Sequence, residues 1–531
     1  MKKNILNLLD CTLRDGGYYN NWDFSPILIN KYLSAVSKAG VDVVEIGFRS
    51  FNNKENLGAC AYSKDSFIDT INIPKNIKIS VMINAAEIIQ NKGALNKIFK
   101  IKKRSKVEII RIAAHFREIN KIEKEIKYLR KLKYKVFLNI MQISERNSAE
   151  IEFVGKFSKL NKIDVLYFAD SMGSLESSEI INIIRLLKKT WNGPLGIHTH
   201  DNLSRATLNT KIAVENGVKW IDSTVDGMGR GPGNAKTEYL IFEYQKQLKK
   251  KINPIPILNL VSKEFMDLKS KYKWGTNPFY YLSGLKKIHP TFVQTMLSDN
   301  KFTNSDILST INYISSIDGT KFNRKLIYKD ETKNLGSWRP SSILKNKNVI
   351  ILGNGPSVIE QKKLLEKVIS QSKLFVISLN TQKHIKENLI KLRVISNELR
   401  FLTERKKLNT LKQRLVIPYN ILSEKIKKNI TKNRIYNFGF SIKNGLFKFS
   451  DKYAVGPNSL AISYALAIAN SGRSNKIFLA GIDGYDENDP RHIELQKTFE
   501  ILNKNKSSIP YFALTNTKLN IPTVSLHTLL K

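Results

Sequence analysis

Asp10-Cys-Thr-Leu-Arg14-Asp15-Gly16-Gly17 closes a short apolar run, Ile5-Leu-Asn-Leu-Leu9, and His198-Thr-His200-Asp201-Asn202 closes another, Pro194-Leu-Gly-Ile197. Both segments read as strands that deliver polar groups at their carboxyl ends. Successive side chains on a strand point to opposite faces, so His198 and His200 share one side. With a carboxylate from a neighbouring strand they make a facial O/N/N set suited to a divalent metal, leaving positions open for substrate. That is a catalytic arrangement rather than a structural one.

From Ile5 to about Asp222 the chain repeats an apolar run followed by a helical pattern, which predicts a parallel sheet with crossover helices. The expected strands are Ile5 to Leu9, Val41 to Phe48, Ile77 to Ile83, Val107 to Ala113, Val136 to Met141, Val165 to Ala169, Leu195 to His200 and Trp220 to Thr224. Eight such units imply an α/β chain built on a TIM (β/α)8 barrel, whose active site lies at the carboxyl ends of the strands. The polar residues met there are Arg14, Asp15, Glu45, Asn84, His115, Asn139, Asp170, Ser171, His198 and His200.

Three motifs in this order, Asp10-Cys-Thr-Leu-Arg-Asp-Gly, the His-Thr-His pair and Gly227-Met-Gly-Arg-Gly-Pro-Gly233-Asn234, resemble the metal-dependent aldolase and Claisen-synthase superfamily. That group includes 4-hydroxy-2-oxovalerate aldolase, hydroxymethylglutaryl-CoA lyase and 2-isopropylmalate synthase, and the resemblance covers roughly residues 5 to 300. It implies a metal on Asp15, His198 and His200, with Asn234 as a further ligand, and Arg14 facing the developing enolate. The chemistry supports these types. Making or breaking a carbon–carbon bond beside a ketone passes through an enolate, which a divalent cation and a fixed guanidinium both stabilise. Mn²⁺, Mg²⁺ and Zn²⁺ all suit the ligand set.

Asp170-Ser-Met-Gly173 resembles the Asp-Ser-x-Gly of the family's sixth strand, which makes Asp170 and Ser171 loop-positioning or substrate-contacting residues. His115, ending the fourth strand, either meets substrate or packs. The sequence departs from the family at one place. Where 4-hydroxy-2-oxovalerate aldolases carry a histidine base three residues beyond the metal aspartate, this chain has Tyr18. Tyr18, Tyr19 or a metal-bound water is left for the role, and a phenol with a pKa near 10 would need tuning to act near neutrality.

The expected domains are a barrel over residues 1–250, a mainly helical extension over 251–335 that closes on it, and a Rossmann-like nucleotide-binding domain over 345–531. Within the extension, Tyr280 and Tyr281 are proton-donor candidates by resemblance and helix-packing aromatics otherwise. Asn334-Leu-Gly-Ser-Trp-Arg-Pro340-Ser-Ser342 marks the boundary by its Gly, Pro and Ser. The last domain opens with the run Asn348 to Leu352 and the turn Gly353-Asn354-Gly355-Pro356-Ser357, the form of a phosphate site before a helix. Further strands are expected at Leu374 to Leu379, Arg393 to Ser396, Leu415 to Pro418 and Lys476 to Ala480. Strand-ending Asn354, Asn380 and Asn397, with Gly456-Pro-Asn458-Ser459 and Gly481-Ile-Asp483-Gly-Tyr485, resemble bacterial sialyltransferases that use CMP-sugars. The resemblance implies nucleotide contacts from Asn354, Asn380, Asn397 and Ser459. His492 lies where a catalytic histidine would fall or is an ordinary loop residue.

Composition narrows the class. The 87 Lys and Arg against 46 Asp and Glu give +41, which invites a nucleic-acid reading. The lysines are spread along every helix, as in Lys121-Ile-Glu-Lys-Glu-Ile-Lys127, with no basic run interleaved with aromatics, so solvated faces and a field that draws anionic substrates account for the charge. No apolar run reaches membrane-spanning length, the start is too short for a signal peptide, and two cysteines make no disulfide framework, so a cytoplasmic homo-oligomer is expected. The expected function is a metal-dependent aldolase or lyase acting beside a 2-oxo acid with an aldehyde partner. It is fused to a nucleotide-sugar-binding domain of the kind that surface-sugar synthesis would use. An acyl-CoA-dependent Claisen synthase, or a scaffold barrel carrying an active carboxyl-terminal transferase, are the alternatives.

Overall fold

Eight strands form where the apolar runs stand: β1 (Asn7–Asp10), β2 (Val43–Phe48), β3 (Lys78–Asn84), β4 (Val107–Ala114), β5 (Lys135–Ile140), β6 (Val165–Asp170), β7 (Leu195–Thr199) and β8 (Trp220–Ser223). Each pairs in parallel with the next, and β1 closes the barrel against β8 through the register Asn7↔Trp220 to Asp10↔Ser223. The chain is therefore α/β, with a TIM barrel as expected. This computed structural model describes residues 6–51, 56–248, 252–299, 302, 304–327, 335–396, 400–401, 404, 407–408, 410–422, 427, 434–487 and 489–530.

Strand alternation separates two apolar layers. Leu9, Val43, Ile109, Phe137, Val165 and Tyr167 point into the barrel and pack on one another. Their neighbours Leu8, Val44, Ile110, Leu138 and Leu166 point outward and join the helices, for example Ile29 and Leu33 of Pro26–Lys38 and Val154 of Ser148–Leu160. Those helices start where the sequence caps them. Ser25 accepts a hydrogen bond from the Leu28 N–H ahead of Pro26, and Asn147 and Glu150 form a reciprocal capping box. Two residues further along several strands the inward positions turn from apolar to polar. Glu45 follows Val43, Arg111 follows Ile109, His198 follows Gly196 and Asp222 follows Trp220. This change of lining builds the site.

The chain separates into two compact units, Met1–Thr295 with Asp318–Phe322, and Met296–Ile317 with Asn323–Lys531. After the barrel come the helices Ile255–Leu260, Met266–Tyr272, Pro278–Leu285, Thr291–Leu297 and Asn304–Ser315.

The second unit contains β9 (Asn348–Leu352), β10 (Phe375–Leu379), β11 (Leu392–Val394), β12 (Arg414–Ile417), β13 (Ile435–Asn437), β14 (Gly439–Ile442), β15 (Lys448–Phe449), β16 (Tyr453–Gly456), β17 (Lys476–Ala480) and β18 (Tyr511–Ala513). Seven of them make a parallel sheet in the order β13-β12-β11-β10-β9-β17-β18, and β14, β16 and β15 form a small sheet of their own. Five of these strands were expected. The others, β13 to β16 and β18, span two to four residues each. The strand order reverses between β9 and β17, where open α/β sheets place ligands. No helix among the described residues is long and apolar enough to cross a membrane.

Candidate metal centre and active site

Asp15 ends a one-turn helix, Thr12–Asp15, that caps the inside of the barrel directly after β1. Asp10 anchors this turn: its carboxylate accepts hydrogen bonds from the Thr12 N–H at 2.8 Å, the Thr12 hydroxyl at 2.6 Å and the Tyr32 hydroxyl at 2.5 Å. Asp10 therefore holds the loop and is not a ligand. The turn aims Asp15 at the two histidines from β7. Its Oδ2 lies 3.4 Å from His198 Nε2, and one ligand atom from each of Asp15, His198 and His200 fits within a span of 4.8 Å.

The Asn234 amide nitrogen lies 3.3 Å from His198 Nε2 and 3.4 Å from His200 Nδ1, so all four side chains converge. Asp15 Oδ2 and Asn234 Oδ1 are buried without a hydrogen-bond partner among the described residues. The Asn234 amide nitrogen donates to the Thr199 carbonyl at 3.0 Å, which seats this side chain against β7. Gly229 leaves the space above them, because a Cβ there would stand 1.8 Å from Asn234 Oδ1 and 3.3 Å from Asp15 Oδ2. An O/N/N set with a fourth oxygen and an open face fits a divalent metal. A second grouping, Cys11 with His198 and Asp222, fits less well. Burial pushes the Cys11 thiol well above its usual range, and His198 Nδ1 already shares a 2.8 Å hydrogen bond with Asp222.

That hydrogen bond belongs to a closed ring of buried charges. Arg14 Nη1 donates to Asp15 Oδ1 at 2.8 Å and Arg14 Nε to Glu45 Oε1 at 2.8 Å. The other Glu45 oxygen lies 3.7 Å from Arg111 Nη1, Arg111 Nη2 donates to Asp222, and Asp222 holds His198, which faces Asp15 again. A carboxylate can only accept, so an ionised Asp222 fixes the His198 proton on Nδ1 and presents the Nε2 lone pair to the cluster. Burial raises the Asp15 carboxyl, but Arg14 and the two histidines outweigh it and hold it well below the usual carboxylate range. Burial likewise raises Asp222, and Arg111 and His198 bring it below normal. Burial lowers His198, yet Asp15 and Asp222 raise it overall. His200 is well below its ordinary value through burial and the nearby Arg230. Arg14 keeps one nitrogen, Nη2, buried beside the cluster without a hydrogen-bond partner among the described residues.

The other expected positions divide. Asp170 accepts hydrogen bonds from the Ser174 and Leu175 N–H groups at 3.0 and 3.2 Å, and burial pushes its carboxyl up to about 7. Ser171 carries Arg230 on its carbonyl at 3.2 Å and accepts the Gln142 N–H on its hydroxyl. Burial lowers the pKa of His115, as do Lys321, Arg146 and Arg230. Tyr280 is 1 % exposed with its hydroxyl 3.4 Å from that of Tyr19, whereas Tyr281 is 41 % exposed. Tyr19 donates to the Gly231 carbonyl at 2.5 Å, and burial raises its phenol to about 12 and that of Tyr280 well above the usual range. Tyr18 stacks edge-on against Trp22 and Phe48 and leaves 40 % of its surface exposed, so the rise that burial gives its phenol is partly screened.

The sequence reading did not single out Arg111, Asp222 and Arg230. Arg111 and Asp222 interrupt strands whose other residues are buried on both faces, and a charge in such a strand demands a partner. That signal was available.

In the second unit the glycine turn after β9 is filled from within. The Ser357 N–H donates to Asp483 Oδ2 at 2.8 Å and its hydroxyl to Oδ1, so a carboxylate from the end of β17 takes the donors expected to hold phosphate. Gly353 and Gly355 permit the approach, since a Cβ on Gly355 would stand 2.4 Å from the Asp483 carboxyl carbon. Asn354 is exposed, Asn380 turns the chain after β10 with φ 52°, and the Ser459 carbonyl accepts from Ser396 at 2.7 Å. Asn397 lies outside the described residues. His492 Nδ1 accepts the Tyr485 N–H at 3.2 Å.

Comparison with known proteins bears on the barrel. The family model described as HMGL-like matches residues 5–260. A 4-hydroxy-2-oxovalerate aldolase of Pelotomaculum thermopropionicum is 28% identical over 244 residues, 45% of this chain and 70% of that protein. One from Geobacillus genomosp. 3 is 26% identical over 243 residues, 45% and 71% respectively. Among solved structures, the N-terminal domain of a Bacteroides vulgatus protein provisionally described as an aldolase is 32% identical, with a TM-score of 0.51, covering 55% of this chain and 97% of that one.

Proposed function

The chain belongs to the HMGL-like family through residues 5–260, an aldolase- and lyase-type domain, and from that premise we propose that the barrel makes or breaks the carbon–carbon bond next to a 2-oxo acid. The observation that carries this reading is the buried Asp15, His198 and His200 cluster with the unpartnered Arg14 Nη2 beside it. Asp15, His198, His200 and Asn234 would hold a divalent cation, Mn²⁺, Mg²⁺ or Zn²⁺, which when bound supplies Lewis-acid stabilisation to the 2-oxo group.

In the cleavage direction the substrate is a 4-hydroxy-2-oxo acid. A base takes the proton of the C4 hydroxyl, the C3–C4 bond breaks, its electron pair passes to the 2-oxo group as an enolate, and the aldehyde departs. A proton returned to C3 completes the 2-oxo acid. Arg14 Nη2 donates to the oxygen on which charge grows, already fixed by Asp15 and Glu45 so that little reorganisation is needed. The phenol of Tyr280 stays protonated at neutral pH and acts as the donor, Tyr19 giving its own proton to the Gly231 carbonyl, and the imidazole of His115, lowered by burial, is the candidate proton acceptor.

The test is pyruvate release from 4-hydroxy-2-oxovalerate and longer 4-hydroxy-2-oxo acids, followed through NADH oxidation by lactate dehydrogenase with each metal. Metal-dependent release is expected, falling about 10²- to 10³-fold in Arg14→Lys, which loses the fixed fork. No release from any of these acids by metal-loaded protein would overturn the reading.

A further inference from the structure

The glycine loop between β8 and the helix Thr237–Glu243 carries one arginine, Arg230, and the fold fixes it from both sides. The Gly233 N–H donates to the Arg230 carbonyl at 3.2 Å, the Gly231 N–H to Gln294 Oε1 at 3.0 Å, and Tyr19 holds the Gly231 carbonyl. Gly231 and Gly233 have φ of 64° and 85°, which other residues adopt with strain. Arg230 is thus presented on a loop pinned by three hydrogen bonds.

The company it keeps is unusual for a partly buried cation. Its Nη2 lies 3.2 Å from the Ser171 carbonyl and 3.4 Å from His200 Nε2, its Nη1 lies 3.4 Å from His289 Nε2, and its plane faces the Tyr18 ring at 5.9 Å. Its Nε is buried and unpartnered. The three buried arginines described in this unit each have a carboxylate: Arg14 has Asp15 and Glu45, Arg49 has Asp65, and Arg111 has Asp222. Arg230 has none among the described residues. The imidazoles around it carry no negative charge, so they cannot supply the missing one. A guanidinium held so close to the cluster, with open donors and no counter-charge, is arranged for an anion that arrives with the substrate.

Resting on the aldolase reading above, we propose that Arg230 recognises a carboxylate at the far end of the substrate, so that the aldehyde partner is itself an oxo acid rather than a neutral aldehyde. Arg14 then serves the 2-oxo acid end of the substrate, and Arg230 selects what is joined to it.

The test compares two ligands of equal length, 2-oxoglutarate and 2-oxopentanoate, which differ only in the terminal carboxylate. Binding to the full-length Mg²⁺-loaded protein is measured by calorimetry. The wild type should hold 2-oxoglutarate roughly 10- to 100-fold tighter, as a charged hydrogen-bonded pair provides. Arg230→Gln should erase that preference while its affinity for 2-oxopentanoate stays within about twofold of wild type. Arg230→Lys, with the charge kept and the fork lost, should fall between. Equal affinity for the two ligands in the wild type overturns the proposal, as does a variant that weakens both alike, which would place Arg230 at the 2-oxo end. A melting curve for each variant identifies one that has failed to fold, and Arg230→Lys then carries the comparison. Pyruvate methyl exchange in the wild type judges the aldolase reading separately, since preference without exchange would sink that reading and leave only the binding of a carboxylate by Arg230.

Discussion

Asp222→Asn removes one negative charge from the ring while keeping its shape. Asp222 accepts from His198 Nδ1 at 2.8 Å and also carries Arg111, whose next carboxylate, on Glu45, is 3.7 Å away and already bound by Arg14. Two effects follow. His198 loses the acceptor that fixes its tautomer, and a carboxylate behind a metal-binding histidine is worth about 10- to 100-fold in metal affinity, or roughly 1.4–2.8 kcal/mol. Arg111 is left buried with a poor counter-charge, and breaking such a pair costs about 3–5 kcal/mol of stability. Mn²⁺ titration by electron paramagnetic resonance reads the first effect, and urea unfolding with chelator present reads the second. Glu238→Gln is the control: Glu238 is buried and accepts the Asp226 N–H but stands outside the ring, so Mn²⁺ affinity should stay within about twofold. A folded Asp222→Asn protein that binds Mn²⁺ like wild type would refute the claim that the ring orients His198.

Gly229→Ala forces a methyl against Asn234 Oδ1 and toward Asp15, so it should cost about 1–3 kcal/mol of stability and weaken metal binding; full Mn²⁺ affinity would show that Asn234 is dispensable. Asp170 titrates near 7 in the folded barrel against an ordinary value of 3.8, so the fold binds the extra proton and stability falls as pH rises from about 4 to about 7. Asp170→Asn should flatten that part of a pH series of urea unfolding curves, and an unchanged slope would contradict the assignment. Asp483→Ala leaves the Ser357 N–H and hydroxyl without their carboxylate and should lower the stability of the second unit by about 1–3 kcal/mol, read in its urea transition. An unaltered transition would mean that Asp483 does not hold the turn.

The barrel was legible because its strands are mostly buried on both faces and so read as apolar runs, several of them ending in a polar residue such as Asp10, Asn84 or Asp170. The end positions differ from the expected ones by a residue or two, as at β2, which begins at Val43 instead of Val41. Asp15, His198 and His200 were legible because period-two spacing and a family motif agree. The ring was not, since Asp222 comes beside the start of the chain only when β8 closes on β1, a pairing of residues more than two hundred positions apart. The strands of the second unit were read at β9, β10 and β17 and at the shorter β11 and β12, and missed at β13 to β16 and β18, which span two to four residues. Its glycine turn matched a phosphate-site pattern, but pattern alone does not reveal that Asp483 folds into it.

Exchange of the pyruvate methyl protons with deuterium, followed by NMR, tests the central claim most directly, because it needs only the enolate step and no aldehyde. The account predicts exchange by wild-type protein that depends on Mn²⁺ or Mg²⁺ and disappears in His198→Ala. Exchange that survives in His198→Ala, or its absence from metal-loaded wild-type protein, would contradict it.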